Sequence, residues 1–261
     1  MRPRQPREPD STSTSKPKDE ASNRGKVMLS WSSGKDSAWA LRVLSQQKKL
    51  HVVALLTTIN QAAERVAMHA VRRILVQAQA DAAGLPLWEL PLPWPCSNTE
   101  YERLMSDFCR RAVSQGIQAI AFGDLFLTDV RKYREQKLRG TGLEPLFPIW
   151  GMPTRKLALE MIASGLHAKI TCVDPRVLSR EFVGREFDQN FLADLPADVD
   201  PCGENGEFHS FAYAGPMFRY PVSVSLGEIV ERDEFVFADL LPVSGSTPRT
   251  EQQSWTPPGP E

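Results

Sequence analysis

The sequence predicts an α/β fold: a doubly wound parallel sheet joined to a second, smaller α+β domain. Three observations carry that expectation. Short apolar, β-branched segments alternate with longer helical patterns through the first half of the chain, as right-handed crossovers between parallel strands require. The first strand-to-helix turn, Ser32-Ser33-Gly34-Lys35-Asp36-Ser37, is rich in small and hydroxyl residues, and ligands of such sheets sit beyond the carboxyl ends of the strands. After "DPCGENGE" the pattern changes to β-like alternation.

The elements follow in order. "KVMLSW" is a short apolar strand, and "AWALRVLSQQ" places Trp39, Val43 or Leu41, Leu44 on one helical side. "HVVALLTT" has the continuous apolar character of a buried parallel strand. "RVAMHAVRRILVQAQADAAG" reads as one long helix closed by Gly84. "LWELPL" is a third strand. The next helix has Ser97, Asn98 or Thr99 as N-cap candidates, Glu100 and Glu102 in its first turn, and Gly116 as its stop. "IQAIAFGD" is a fourth strand. Beyond it come a helix over "TRKLALEMIASG", a strand "HAKITCV", two short helices broken at Gly184, and β structure from "FHSFAYAGPMF" to a hairpin turning near Arg232–Asp233. The domain expectation is 25–130 for the parallel sheet and 131–242 for the α+β domain. The tails, 1–24 and 243–261, are poor in apolar residues and are expected to be disordered.

Composition narrows the function classes. The chain of 261 residues has a formal net charge of -1, so no global field draws it to nucleic acid, and none is expected as a partner. No apolar run approaches the roughly 20 residues of a membrane span. Cys96, Cys109, Cys172 and Cys202 stand far apart with no CxxC pair, which argues against a zinc knuckle or a redox motif. The expected location is cytoplasmic.

The glycine–serine turn opens a helix, where free N–H groups and the helix dipole favour an anion. Gly34 permits close approach, Ser32, Ser33 and Ser37 offer hydroxyls, and Lys35 adds charge. Asp36 either caps the helix or meets a metal ion on the phosphates. The spacing is neither GxxxxGK[ST] nor GxGxxG. Asp124, after "AIAFG", sits at a strand end, positioned for Mg²⁺ or a substrate amine, or as a helix cap. Arg131 and Arg134, three apart, share a helical face suited to phosphate or carboxylate. In "PCGENGEFH", Glu204 and Glu207 offer two carboxylates for Mg²⁺, an amine or general-base work, with His209 nearby. Cys202, with no adjacent base, reads as buried and inert. Asp174 and Arg176 are further candidates for substrate contact. "MHAVRR" places His69, Arg72 and Arg73 on a helix near the same edge, with His69 the weakest candidate.

"SWSSGKDS" resembles the SGGxDS signature of the PP-loop ATP pyrophosphatases, in the adenine nucleotide alpha-hydrolase group. Ser33 stands where that signature has its first glycine, a departure read as mild because Gly34 remains. With "FGDLFLTDVRKYREQ", "LFPIW" and "DPCGENGEFHSF", the chain resembles the diphthine–ammonia ligase family from residue 26 to about 218, and its box looks most like the bacterial branch. Ile149 replaces a frequent leucine.

The resemblance implies a cytoplasmic, ATP-dependent ligase that releases AMP and pyrophosphate. ATP would lie on Ser32 to Ser37, with adenine near Thr57 and Thr58, and Arg131 and Arg134 on phosphates. Asp36 and Asp124 would hold Mg²⁺. Asp36, Asp124, Glu204 and Glu207 would serve the chemistry, the glutamates on the acceptor side. The partners would be a carboxylate acceptor, small or protein-borne, and ammonia or another amine. Two other classes compete: a tRNA-modifying PP-loop enzyme, disfavoured by charge and scattered cysteines, and a nucleotide sensor without chemistry.

Overall fold

The computed structural model describes residues 25–66 and 71–243. His69, residues 1–24 and all of the C-terminal tail except Val243 lie outside the described residues.

The first sheet is built on five parallel strands: β1 (Gly25–Ser30), β2 (Leu50–Asn60), β4 (Leu87–Leu92), β5 (Ala119–Ala121) and β6 (Glu144–Leu146). Their lateral order is β4-β2-β1-β5-β6. A two-residue strand, β3 (Arg65–Val66), runs antiparallel to the end of β2. The order reverses between β1 and β5, the switch point at which such sheets open a crevice. Alternation along β1 explains the layers. Val27 and Leu29 pack into a core with α1 (Lys35–Ser45) and α2 (Arg73–Ala83). Met28 faces the opposite core, with Phe108, Cys109 and Ala112 of α3 (Asn98–Ser114). Ser97 is the N-cap of α3, its hydroxyl accepting from Glu100 N. Helix α4 (Thr128–Leu138) links β5 to β6.

The second sheet is antiparallel, in the order β8-β7-β10-β9: β7 (His167–Val173), β8 (Phe208–Ala214), β9 (Val224–Arg232) and β10 (Phe235–Pro242). Helix α5 (Thr154–Ala163) precedes it. Between β7 and β8 lie a 3-10 turn at Arg180–Phe182 and α6 (Gln189–Asp194). The hairpin turn from β9 to β10 falls on Asp233 and Glu234, both at positive φ. The two sheets share one apolar core, in which Trp31 and Leu29 belong to the same cluster as Phe208, Phe211 and Ile170.

Two expectations change. The long helix expected from Arg65 begins only at Arg73; Arg65 and Val66 are strand, and Arg72 is an extended N-cap. Arg65 and Arg72 both bind Asp239 of β10, a tie between the sheets that fixes these two residues outside the helix. The first sheet also runs past residue 130, because α4 and β6 complete its far edge. "EPL" is too short to show a strand pattern in sequence.

Candidate active site

At the switch point the chain leaves β1, turns through Ser32–Gly34 and enters α1. Gly34 is the N-cap and makes no side-chain cap. The amide end of α1 therefore opens on a pocket lined by Ser32, Gly34, Asp36, Ser37, Gly123, Asp124, Arg134, Glu204, His209 and Ser210. Its volume of about 190 Å³ is below the roughly 300–1,000 Å³ of a typical ligand pocket, which suits a phosphate group rather than a whole nucleotide. Ser37 Oγ donates to Gly34 O at 3.0 Å and lies 3.2 Å from Ser32 Oγ. A larger cleft of about 400 Å³ lies elsewhere, at Lys169, Glu186 and Tyr213. It holds none of the candidate residues, and its polar groups satisfy one another, Lys169 Nζ lying 2.7 Å from Glu186 and Tyr213 OH 3.2 Å.

The loop is held from the second sheet. Ser33 O accepts from Ala212 N at 2.9 Å, and Lys35 N donates to Ser210 Oγ at 3.2 Å. Gln79 of α2 is fully buried; its Nε2 donates to Ser33 O and Ala212 O, and its Oε1 accepts from Trp31 Nε1 at 2.8 Å. Gly123 packs flat on the loop. A Cβ there would stand 3.0 Å from Asp36 C and Ser37 N, so any larger residue would push the start of α1 away from the end of β5.

Lys35 does not reach for solvent. Its side chain is 2% exposed, its Nζ donates to Asp36 Oδ2 at 2.9 Å and to Cys202 O, and it lies over the rings of Phe208 and Phe187. Burial works to discharge it, but Asp36, with Cys202 and Glu204 nearby, outweighs burial and holds its pKa above the usual value. Burial raises the Asp36 carboxyl, against the pull of Lys35. Asp36 Oδ1 is buried with no hydrogen-bond partner among the described residues. Asp124 accepts a forked pair from Arg134 Nε (2.6 Å) and Nη2 (3.2 Å). No group of three or more His, Cys, Asp or Glu with metal-binding geometry occurs among the described residues.

The two glutamates expected to work as a pair are separated. Glu204 lines the pocket, its Oε1 accepting from Leu125 N at 2.7 Å and Phe126 N at 3.4 Å. Burial pushes its carboxyl up to about 7, with Asp36 and Asp124 adding repulsion. Glu207 turns inward. It accepts from Asp200 N at 3.0 Å, Asn205 N at 3.0 Å and Asn205 Nδ2 at 2.9 Å, and so braces the loop. Gly203 allows that loop its shape: at φ 71 its missing Cβ would lie 2.8 Å from Phe208 O. His209 lines the pocket, and burial lowers its pKa to about 4. Burial raises the Cys202 thiol, whose Sγ donates to Thr154 O.

The remaining candidates divide. Arg131 bonds Glu135 and lies over Phe147 and Trp150. Thr57 is buried with its Oγ1 unpartnered among the described residues, but does not line the pocket. Arg73 binds Glu89 and Glu64 outside the pocket, and Asp174 and Arg176 bind each other there. Ser33 is the largest surprise. It is buried at φ 70 with an unpartnered Oγ among the described residues, so its replacement of a glycine is a strained departure and not a mild one. Gln79 and Ser210 were missed. Both are polar residues on otherwise apolar faces, Gln79 beside Leu75 and Ala82, Ser210 between Phe208 and Ala212, and that break in pattern was their signal.

The strand order and a serine-lined loop at the switch point define the class, a PP-loop nucleotide-binding α/β protein. Residues 25–145 match the family model for the diphthamide synthase N-terminal domain, and 153–239 that for the C-terminal domain. The chain belongs to the diphthamide synthase family. It is similar to the diphthine–ammonia ligase of Danio rerio, 25% identical over 231 residues covering 80% of this chain and 90% of that protein. The Bos taurus diphthine–ammonia ligase is 26% identical over 181 residues, 63% of this chain and 67% of that one. The Schizosaccharomyces pombe protein of the same name is 27% identical over 119 residues, 44% of this chain and only 20% of that longer protein. Among the described residues no helix is long and apolar enough to cross a membrane.

Proposed function

We propose that the protein is an ATP-dependent, AMP-forming amide ligase. The observation that carries this reading is that the glutamate box of the second half closes over the serine loop of the first, so anion-receptive amides and Glu204 share one pocket. A carboxylate oxygen of the acceptor attacks the α phosphorus of ATP, the bond to the bridging oxygen breaks, and pyrophosphate leaves. The nitrogen of ammonia or another amine then attacks the acyl carbon, AMP departs with the electron pair, and the amine loses a proton. Adenylation is needed because a carboxylate oxygen leaves poorly and AMP leaves well.

The residues take these roles. The α1 amides with Ser32 and Ser37 bind phosphate, and Arg134, fixed by Asp124, presents charge to the same pocket. Glu204, near neutrality in pKa, is suited to accept the amine proton. Mg²⁺ fits Asp36, whose Oδ1 is buried and unpartnered among the described residues; the ion commonly takes one or two carboxylates plus substrate phosphates and would neutralise leaving-group charge. Asp124 is the lesser candidate, since Arg134 already engages both its oxygens. Glu207 acts by holding the loop. The relatives' name supplies diphthine and ammonia as their reactants; for this chain we keep the reaction type, a cytoplasmic setting, and a carboxylate acceptor of its own.

Phosphorus NMR of the purified protein with ATP, Mg²⁺, ammonium and a panel of carboxylic acids tests the reading. AMP and pyrophosphate are expected, and ADP with phosphate as the only products would refute it. Glu204→Gln should lower turnover roughly 10²- to 10⁴-fold, as loss of a general base does, with no fall in melting temperature at neutral pH. Glu207→Gln should lower the melting temperature as well.

A further inference from the structure

Gln79 stands on α2 among apolar neighbours, fully buried, and its side-chain amide has one possible orientation. Trp31 Nε1 can only donate, and it meets Gln79 Oε1 at 2.8 Å. The carbonyls of Ser33 and Ala212 can only accept, and Gln79 Nε2 donates to them at 2.9 Å and 2.6 Å. A flipped amide would set oxygen against two oxygens and nitrogen against a donor, so Trp31 fixes which end of Gln79 meets the loop.

Ser33 O accepts from Ala212 N at 2.9 Å as well as from Gln79, so both its lone pairs are engaged on the side of α2 and β8. The peptide from Ser33 to Gly34 is planar and trans, so its N–H points opposite to its C=O. With the carbonyl drawn away, the Gly34 N–H faces the pocket: it donates to Ser32 Oγ at 3.4 Å, and Ser32 and Gly34 both line that pocket. The bend that achieves this puts Ser33 at φ 70, a conformation unfavourable for an L residue. The Ser33 hydroxyl does not hold the bend, since its Oγ has no partner among the described residues.

We propose that Gln79 is a positioning residue for phosphate. Fixed by Trp31, it holds the Ser33 carbonyl away from the pocket and so aims the Gly34 amide at a phosphate of the nucleotide. It touches no substrate and acts only through the backbone of the loop. This rests on the serine loop binding phosphate, as in the ligase reading, but the claim concerns binding and stands apart from turnover.

Calorimetry on the full chain tests it, with pyrophosphate and α,β-methylene-ATP as probes in the presence of Mg²⁺, well below the melting temperature of each variant. Gln79→Leu should weaken both ligands by roughly 5- to 30-fold, the affinity equivalent of the strain a left-handed L residue carries. Trp31→Phe, which keeps an aromatic ring but loses the Nε1 donor, should weaken them by roughly 2- to 13-fold, the equivalent of one neutral hydrogen bond; it gives the reading by itself should Gln79→Leu fail to fold. The decisive comparison repeats both changes in a Ser33→Gly background. Glycine takes the left-handed bend without help, so there each loss should shrink to less than about threefold. A glutamine that serves the fold alone would give equal losses in both backgrounds, or a lower melting temperature with affinity kept, and either result overturns the proposal. Failure of the parent protein to bind either probe overturns it together with the phosphate assignment of the loop. Gln79-dependent binding of both probes without release of pyrophosphate from ATP would sink the ligase reading and leave this role standing.

Discussion

At the scale of single residues, Ser33 carries conformational strain where the loop bends. An L residue in the left-handed region costs roughly 1–2 kcal/mol, and the buried hydroxyl finds no partner among the described residues. Glycine restores unfolded-state freedom at a smaller penalty, about 0.5–1 kcal/mol. Ser33→Gly should therefore stabilise the protein by roughly 1 kcal/mol, a rise of about 2–4 °C for a chain of this size, read by calorimetry. Glu204 and His209 oppose each other in pH dependence. The raised Glu204 binds more protons folded than unfolded between about 4.5 and 7, so its contribution to stability falls as pH rises through that window. The lowered His209 binds fewer protons folded between about 4 and 6.5, so its contribution rises with pH there. Glu204→Gln removes the first and leaves the second. Thermal melts from pH 4 to 7 should show a steeper gain with pH in the variant than in the parent; unchanged slopes would contradict the burial assigned to Glu204.

Among the elements, the junction of β5 with α1 shapes the pocket at the start of that helix. Gly123→Ala places a methyl 3.0 Å from backbone atoms of Asp36 and Ser37, and backbone cannot swing aside as a flexible side chain can. The loop must shift by tenths of an ångström, and ATP affinity should fall at least about tenfold, equivalent to about 1.4 kcal/mol, by calorimetry. Helix α2 shows a different lesson. Its apolar pattern continues back through Val66, so its start at Arg73 could not be read from periodicity. The salt bridges of Arg65 and Arg72 to Asp239 lie 174 and 167 residues apart in sequence, and no local pattern records them.

For the whole molecule, the shared core makes the two sheets one cooperative body. Trp31 packs edge-on against Phe218, and Gln79 joins α2, the loop and β8 through buried hydrogen bonds. Residues 25–152 expressed alone should lack a cooperative thermal transition, since apolar faces now covered by the second sheet would meet water; a sharp transition with dispersed amide resonances would contradict this. The sequence by itself determined the parallel α/β half, a strand-to-helix turn at Ser32 to Ser37, a helix start within Ser97 to Thr99 and the family. Each of these depends on local periodicity, capping chemistry or a contiguous motif, which neighbouring residues suffice to set. Only the tertiary structure decided that Glu204 faces the pocket at the start of α1 while Glu207 braces a loop, that Lys35 is buried under Cys202, and that β6 belongs to the first sheet. Those outcomes turn on which backbone amides and rings a side chain meets across the fold, and residues of the same type three apart carry no record of it.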